Sequence, residues 1–327
     1  MILAGDIGGT KTLLAIYELT GPARPKKMRL FSTKSFSSIK TLLNTYISEI
    51  KIRPTCISLG VAGPVIKGQV NMVNVGWRFT VKDLKRKFNL SRVFLLNDLE
   101  ALAYSLPFLS KKHFIPIKSG RVDKKGNLAI IAAGTGLGEA LLIRKEGSNF
   151  PVATEGGHAD FAPWNELTYR LHAHLSQKFG HVSWERVASG PGIENIYEFL
   201  CKEEGLSPGL SSAKEIGQAG LTGKDPLAEK ALELFFYAYG AEAGNLALKS
   251  LATGGVFIGG GIAPKLLSFF ERGIFEEAFL AKGRHKTFLE NIPIWLVNHP
   301  YSVLQGAALW AKHQLIKAQG RGNEFFS

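Results

Sequence analysis

Twice along the chain an apolar, β-rich run breaks at a glycine-rich turn and resumes as a second apolar run. The first instance is residues 2–5 (ILAG) and 13–19 (LLAIYEL) around Asp6-Ile7-Gly8-Gly9-Thr10-Lys11-Thr12; the second is LAIIAA from Leu128, then Gly134-Thr135-Gly136-Leu137-Gly138, then EALLI. Glycines between two strand-like runs predict a tight hairpin. A chain that opens each half in this way predicts two similar α/β lobes whose turns face a shared cleft. Its 327 residues, 45% of them apolar, suffice for a core in each lobe.

Between and after the hairpins the pattern continues to alternate. Ser35–Ile50 has helical spacing, Cys56–Val61 (CISLGV) is a short apolar strand, and Gly63-Pro64 ends it in a turn. Val93 to Leu96 forms a strand running into Asn97-Asp98, after which Leu99–Leu106 is helical. A long stretch from Leu227 to Ala252 carries Gly240 and Gly244 four apart on one face, a close-packing stripe. It leads through Gly254-Gly255 and the strand VFI to Gly259-Gly260-Gly261. Ser302 to about Gln314 is expected to form a helix that packs on the first lobe, with Gly320 to Ser327 frayed.

Net charge is +13, which raises nucleic-acid binding as a possibility to test. The basic clusters, Lys26-Lys27, Lys85-Arg86-Lys87, Lys111-Lys112 and Lys124-Lys125, are short, scattered and not interleaved with aromatic residues, so no nucleic-acid partner is expected. Cys56 and Cys201 match no disulfide or metal spacing. No apolar run approaches the roughly 18 residues of a membrane helix, and the first residues read as strand, not leader. The expectation is a cytoplasmic protein with no membrane partner.

GDIGGTKT nearly spells a P-loop, G-x-x-x-x-G-K-[ST], but Thr10 stands where the last Gly belongs and a strand follows where a helix is needed. A glycine turn still exposes backbone N–H groups to phosphates, and Thr10, Lys11 and Thr12 add hydroxyls and a cation. Asp6 would face a metal, directly or through water. The same residues also make an ordinary polar hairpin tip. The turn GTGLG is no dinucleotide fingerprint, and its weight comes from its pairing with the first turn.

Asn97-Asp98, at a strand's C-terminal end, lies where open α/β sheets place ligands. Asp98 could accept the proton of an attacking hydroxyl in phosphoryl transfer, and an Asp between strand and helix fits an N-cap as well. Glu155-Gly156-Gly157-His158 offers an acceptor and a donor for adjacent sugar hydroxyls, with glycines that let backbone come close. Glu185, in SWERVASGPG, is a further acceptor or an exposed helix-face carboxylate. Gly259, Gly260 and Gly261 could admit adenine and ribose, or simply join strand to helix.

In order and spacing, GDIGGTKT, GVAGPV, NVGW, LLNDLEALAYSL, AAGTGLG, TEGGHADFAP, ERVASGPGIENIY, GGVFIGGGIAPKLL and LQGAA resemble the bacterial glucokinase family, of the hexokinase, Hsp70 and actin superfamily, over nearly the whole chain. The resemblance implies a two-lobed actin-like (ribonuclease H-like) α/β ATPase fold with a central cleft, the small lobe being residues 1–108 plus 302–327 and the large lobe 109–301. It implies ATP and Mg²⁺ as cofactors and phosphorylation of glucose at its 6-hydroxyl. Asp98 matches the catalytic base; Asn97, Glu155, His158 and Glu185 match sugar contacts. Asp6, Gly8, Gly9, Thr10, Lys11 and Thr12, with Gly134, Thr135, Gly136 and Gly138, match the phosphate loops, and Gly259 to Gly261 the adenosine segment. A homodimer and closure of the lobes on sugar are also implied. The cysteine-rich zinc motif of the related repressor and kinase group is absent from the sequence.

Two departures stand out: Ala132-Ala133 where Gly-Pro is expected, and Glu139 directly after the second turn where a small apolar residue is usual. A carboxylate there is expected to repel a triphosphate and raise the ATP KM, unless it turns away or meets the metal. The competing readings are a kinase for mannose, fructose or an amino sugar, and a non-catalytic sugar-sensing regulator. A regulator would ordinarily carry a DNA-binding helix pair ahead of the first phosphate loop, so the enzyme is the expectation.

Overall fold

The computed structural model describes residues 1–318. The chain divides into two compact units: Met1–Lys111 with Lys145–Ala153 and the C-terminal stretch from His299, and Lys112–Arg144 with Thr154–Asn298.

In the first unit the order is β1 (Ile2–Ile7), β2 (Lys11–Tyr17), β3 (Lys26–Ser32), α1 (Ile39–Ile50) and β4 (Cys56–Val61). A small sheet of β5 (Val65–Ile66), β6 (Gln69–Met72) and β7 (Trp77–Thr80) follows, then α2 (Val81–Phe88), β8 (Arg92–Asn97) and α3 (Asp98–Ser105). The main sheet is ordered β3-β2-β1-β4-β8. The first glycine turn closes an antiparallel β1–β2 hairpin, while β1, β4 and β8 run parallel. Alternation along β1 supplies both faces of this sheet. Leu3 and Ile7 pack with Ile57, Leu59 and the α1 residues Leu42, Leu43 and Tyr46. Ile2 and Ala4 point to the opposite face. That double coverage explains why β4 is buried along its whole length and reads as a continuous apolar run. Helix α1 starts at Ile39, later than the spacing suggested, because Ser38 caps it and its hydroxyl accepts from Thr41 N. Thr33–Ser35 is a separate 3₁₀ turn.

The second unit restates the theme. Its strands are β9 (Phe114–Lys118), β10 (Leu128–Ala133) and β11 (Leu137–Lys145), followed by β12 (Ser148–Thr154), most of which groups with the first unit. Helices α4 (Glu166–Phe179), α5 (Gly190–Glu203), α6 (Ala213–Leu221) and α7 (Pro226–Ser250) precede β13 (Gly255–Gly259). The short helices α8 (Leu267–Phe270), α9 (Ile274–Leu280) and α10 (Lys286–Glu290) then lead to β14 (Ile294–Val297). The second glycine turn closes the antiparallel β10–β11 hairpin, and β13 and β14 extend the sheet parallel to β10.

Helix α7 begins at Pro226, where a missing N–H is harmless, and Asp225 accepts from Leu227 N and Ala228 N as its cap. Its middle is buried on nearly every side. The expected glycine stripe is real: a β-carbon at Gly240 would strike the Phe275 carbonyl, and one at Gly244 would come within 2.7 Å of the Phe279 carbonyl, so α9 lies directly on the α7 backbone. Finally α11 (Ser302–Ala318) returns to the first unit, where Leu304, Ala308 and Ala311 pack with Ile2, Ala4 and Cys56. It runs beyond the expected Gln314; the fraying expected for Gly320 to Ser327 lies outside the described residues. Among the described residues no helix is long and apolar enough to cross a membrane.

The α7–α9 contact gives a direct test. Gly240→Val should lower the unfolding free energy by about 2–3 kcal/mol, the cost of overpacking against a backbone that cannot yield. Urea titration checks this, and a loss under about 0.5 kcal/mol, the scatter of neutral surface changes, would show that α9 can step away.

Candidate active site

Parallel strands β1, β4 and β8 end at one edge of the first sheet, and the candidate residues of that unit collect there. Asp6 lies near the end of β1 and pairs in register with Gly60 of β4, which in turn pairs with Leu96 of β8, two residues before Asp98. Asp6 is half-buried, and its carboxyl is pushed up to about 7, chiefly by desolvation and next by the negative charge of Asp98.

The turn after β1 is held by its own backbone. Gly8 N donates to Lys11 O at 3.0 Å, and Thr33 contributes two bonds, its N to Thr10 O at 2.9 Å and its hydroxyl to Gly8 O at 2.8 Å. Thr10 and Lys11 are exposed at the tip, and Gly8 and Gly9 are half-buried. Thr12 differs from expectation: it is fully buried with its hydroxyl 2.9 Å from that of Thr33, because strand alternation turns it inward one residue after Lys11 turns out.

At the start of α3 the capping role falls to Asn97, not Asp98. Asn97 Oδ1 accepts from Leu99 N at 2.9 Å, its Nδ2 donates to Gly63 O at 3.2 Å, and its backbone N donates to Glu100 Oε2 at 2.8 Å. Asp98 is therefore the first helical residue, its Oδ1 2.9 Å from Leu99 N. The Gly63 loop is itself pinned to β1 by Ala62 N donating to Ile7 O. Three strand ends are thus stitched into one edge.

In the second unit the turn Gly134 to Gly138 is gripped from two sides. Gly190 N, opening α5, donates to Gly134 O at 2.8 Å, and Leu137 N donates to Glu185 Oε2 at 3.0 Å. Glu185 is half-buried, with its own carbonyl accepting from the Ser189 hydroxyl at 2.6 Å. Glu155 and His158 flank a 3₁₀ turn, both exposed, with Nε2 and Oε2 3.9 Å apart. Trp184 N donates to Ala159 O and Asp160 bridges Ser183, which brings the Glu185 segment against the Glu155–His158 loop. Gly259 ends β13 beside Ala132 of β10. Gly260 has φ +83°, and a β-carbon there would collide with Ala133 O, so only glycine suits this approach. The structure therefore brings together Glu155, His158, Glu185, the second turn and the Gly259–Gly261 loop.

The sequence pattern of the Glucokinase family matches residues 3–314. A glucokinase of Nostoc punctiforme is 36% identical over 341 aligned residues, covering 95% of this chain and 98% of that protein. The chain belongs to the glucokinase family. The solved glucokinase of an Antarctic psychrotroph superposes with a TM-score of 0.85 at 34% identity, covering 95% of this chain and 98% of the other. A ROK family glucokinase from Streptomyces griseus, solved with glucose and AMPPNP, shares the fold at 21% identity and a TM-score of 0.64, over 95% and 99% of the two chains. The fold is the actin-like ATPase fold of these sugar kinases.

Of the outcomes open for Glu139, the structure of this glucokinase-family chain gives the one in which it points away from the turn. Glu139 is 2% exposed, and burial, followed by the charge of Glu242, pushes its carboxyl up to about 8. The side chain is directed into the interior because Leu137 and Glu139 share one face of β11 and that face is covered. Glu242 was missed from the sequence. Its only signal was its place between Gly240 and Gly244, on a helix buried too completely to show one polar face. Gly190 and Thr33 were missed as well, since their bonds run to residues far along the chain.

Asn97→Ala should cost about 1 kcal/mol of stability through loss of the α3 cap, whatever the residue does with ligand. Asn97→Asp keeps the cap and should recover most of it. Denaturation of the three proteins without ligand decides, and an unaltered alanine variant would remove the cap.

Proposed function

We propose that this chain catalyses transfer of the γ-phosphoryl group of ATP to the 6-hydroxyl of glucose, giving glucose 6-phosphate and ADP. The observation that carries the reading is Asp98: a carboxylate at the C-terminal edge of a parallel sheet, beside Asp6 and a glycine turn, where Asn97 does the capping that would otherwise explain an aspartate there. Membership of the glucokinase family supports both the reaction and the substrate.

Asp98 accepts the proton of the 6-hydroxyl as the oxygen attacks phosphorus, a positioned carboxylate contributing about 10²–10⁴ in rate. Asn97, Glu155, His158 and Glu185 are the residues we assign to the sugar's hydroxyls. Glu185 would also carry sugar occupancy to the second turn, because it already accepts from Leu137 N. The N–H groups around Gly8, Gly9 and Thr10, the Lys11 ammonium, and the turn Gly134-Thr135-Gly136 with Gly138 are assigned to phosphates; Gly259 to Gly261 are assigned to the adenosine. Thr12 supports the first turn from beneath.

Mg²⁺ fits the residues present. Two half-buried carboxyls that repel one another, Asp6 and Asp98, are what a nearby dication relieves. Among the described residues no cluster of three or more His, Cys, Asp or Glu could hold a metal, which suits an ion held largely by phosphates and water with Asp6 as the protein's contribution. When bound, the ion neutralises charge on the β- and γ-phosphates.

The defining experiment is coupled ADP release over a panel of glucose, mannose, fructose and amino sugars, with and without Mg²⁺. Glucose should have the highest kcat/KM; a higher value for another hexose would reassign the substrate, and ADP release indifferent to every sugar would remove the kinase reading. Asp98→Ala should lower kcat by about 10²–10⁴ while leaving the glucose Kd nearly unchanged, since it removes a proton acceptor and spares the other hydroxyl contacts. Near-normal turnover in that variant would exclude Asp98 as the base.

A further inference from the structure

The second unit holds a pair of buried carboxyl groups that the reaction above does not use. Glu139, on β11, and Glu242, on α7, are 2% and 0% exposed. Glu242 is well supplied, its Oε2 accepting from Asn245 Nδ2 at 2.8 Å and its Oε1 from Lys249 Nζ at 3.2 Å. Glu139 is not: its buried Oε1 finds no donor among the described residues, and its carboxyl lies within hydrogen-bonding reach of the Glu242 carboxyl. Its Oε2 lies directly beneath Gly156, so close that a β-carbon on that glycine would collide with the carboxyl. The neighbouring anchors belong to the same strand. A β-carbon on Gly157 would strike Leu137 O, and the Thr154 hydroxyl donates to Glu139 O at 3.3 Å while accepting from Gly156 N at 3.2 Å. The loop Glu155–His158 thus rests on β11, with the Glu139 carboxyl as its floor.

We propose that Glu139 is a positioning residue for the sugar: it shares one proton with Glu242, and the uncharged carboxyl so formed supports Gly156 and holds Glu155 and His158 in their hydroxyl-reading geometry. This rests on the assignment of Glu155 and His158 to the sugar. The charged and titratable groups facing the pair are Lys249 on α7, Lys282 beyond α9 and the Tyr239 hydroxyl on α7. Lys249 favours ionisation of either Glu, and Lys282 does the same at Glu242, yet burial and the mutual repulsion of the carboxyls outweigh them at Glu139. Loss of the shared proton leaves two anions in a dry interior. They can be relieved only by admitting water or by moving the carboxyl, and either displaces Gly156.

The test follows glucose KM, ATP KM and kcat between about pH 7 and about pH 9 for the wild-type chain, Glu139→Gln and Glu242→Gln. Wild type should show glucose KM rising roughly fivefold over this window, the low end of coupling between linked sites, with ATP KM nearly constant. Glu139→Gln should be flat. Glu242→Gln, which removes the repelling charge, should move the rise to lower pH, and it serves if the Glu139 variant does not fold. A Glu139→Gln profile that rises as wild type does, or a Glu242→Gln profile unmoved, overturns the proposal.

Thermal unfolding against pH separates the proposal from the sugar reading beneath it. A raised folded-state proton affinity adds stability below the ordinary Glu range, and that stability is lost as pH rises through about 8, so wild-type Tm should fall relative to Glu139→Gln across that window. Parallel Tm curves overturn the shared proton. Diverging Tm curves in proteins that do not bind glucose by calorimetry overturn the sugar role of the loop, and with it the positioning role.

Discussion

Asp6 and Asp98 repel one another across the edge of a sheet, and much of the first unit exists to hold them there. Strands β1, β4 and β8 are parallel, so their C-terminal ends fall on one side, and the register carries Asp6 to Gly60 and Gly60 to Leu96. The strand between the two carboxylates contributes a residue without a side chain. No side chain from that strand stands between the charges, and the cost shows in Asp6, whose carboxyl is pushed up to about 7 by burial and then by Asp98. Such an edge would relax if its strands could separate. They cannot, because Ala62 is bonded to Ile7 and Asn97 to the Gly63 loop, while α11 packs Leu304, Ala308 and Ala311 against the same strands. Repulsion held in place by hydrogen bonds and core is a preorganised demand for positive charge.

The second unit uses the same hairpin-and-parallel-strand plan for different chemistry. Its sheet edge presents backbone: a turn whose Gly134 carbonyl and Leu137 N–H are tied to α5 and Glu185, and a glycine loop pressed on Ala133 at a φ that excludes other residues. Because Glu185 is bonded to the turn and its segment is also bonded to the Glu155–His158 loop, a change in one carboxylate's partner is felt by the turn. Coupling here runs through two hydrogen bonds within the second unit and needs no longer path.

What the sequence made legible follows from how locally each feature is determined. Strand β4 was read to the residue, since a run buried on both faces is continuous and apolar and turn chemistry bounds it. Helix α1 was begun early because helical spacing extends back to Ser35, whereas the deciding event is a reciprocal bond between Ser38 and Thr41. The division of labour at Asn97-Asp98 was illegible: both residues cap helices equally well, and the choice is made by Gly63, 34 residues away, which occupies the Asn97 amide. Thr12 and Glu139 both point into the interior for one reason. Each is next to a glycine turn in sequence, and each stands at a strand position whose alternation points inward. Proximity to a glycine turn along the chain does not carry a side chain into it; period-two geometry decides where the side chain goes.

Glu139 and Glu242 also bear on how much polarity a core of this kind tolerates. A buried ionic or carboxyl pair is often no more stabilising than apolar residues of equal volume, so stability alone does not explain its presence. Removing one partner is another matter. If Glu242 alone were lost, Lys249 and Asn245 would lose the buried carboxylate they donate to; if Glu139 alone were truncated, Gly156 would lose the carboxyl beneath it. Each residue is thus costly to change while the other remains, which ties β11 to α7 as a unit. The tie passes beneath two glycines that have no side chains of their own, so the backbone between Glu155 and His158 rests on β11 through groups outside that turn.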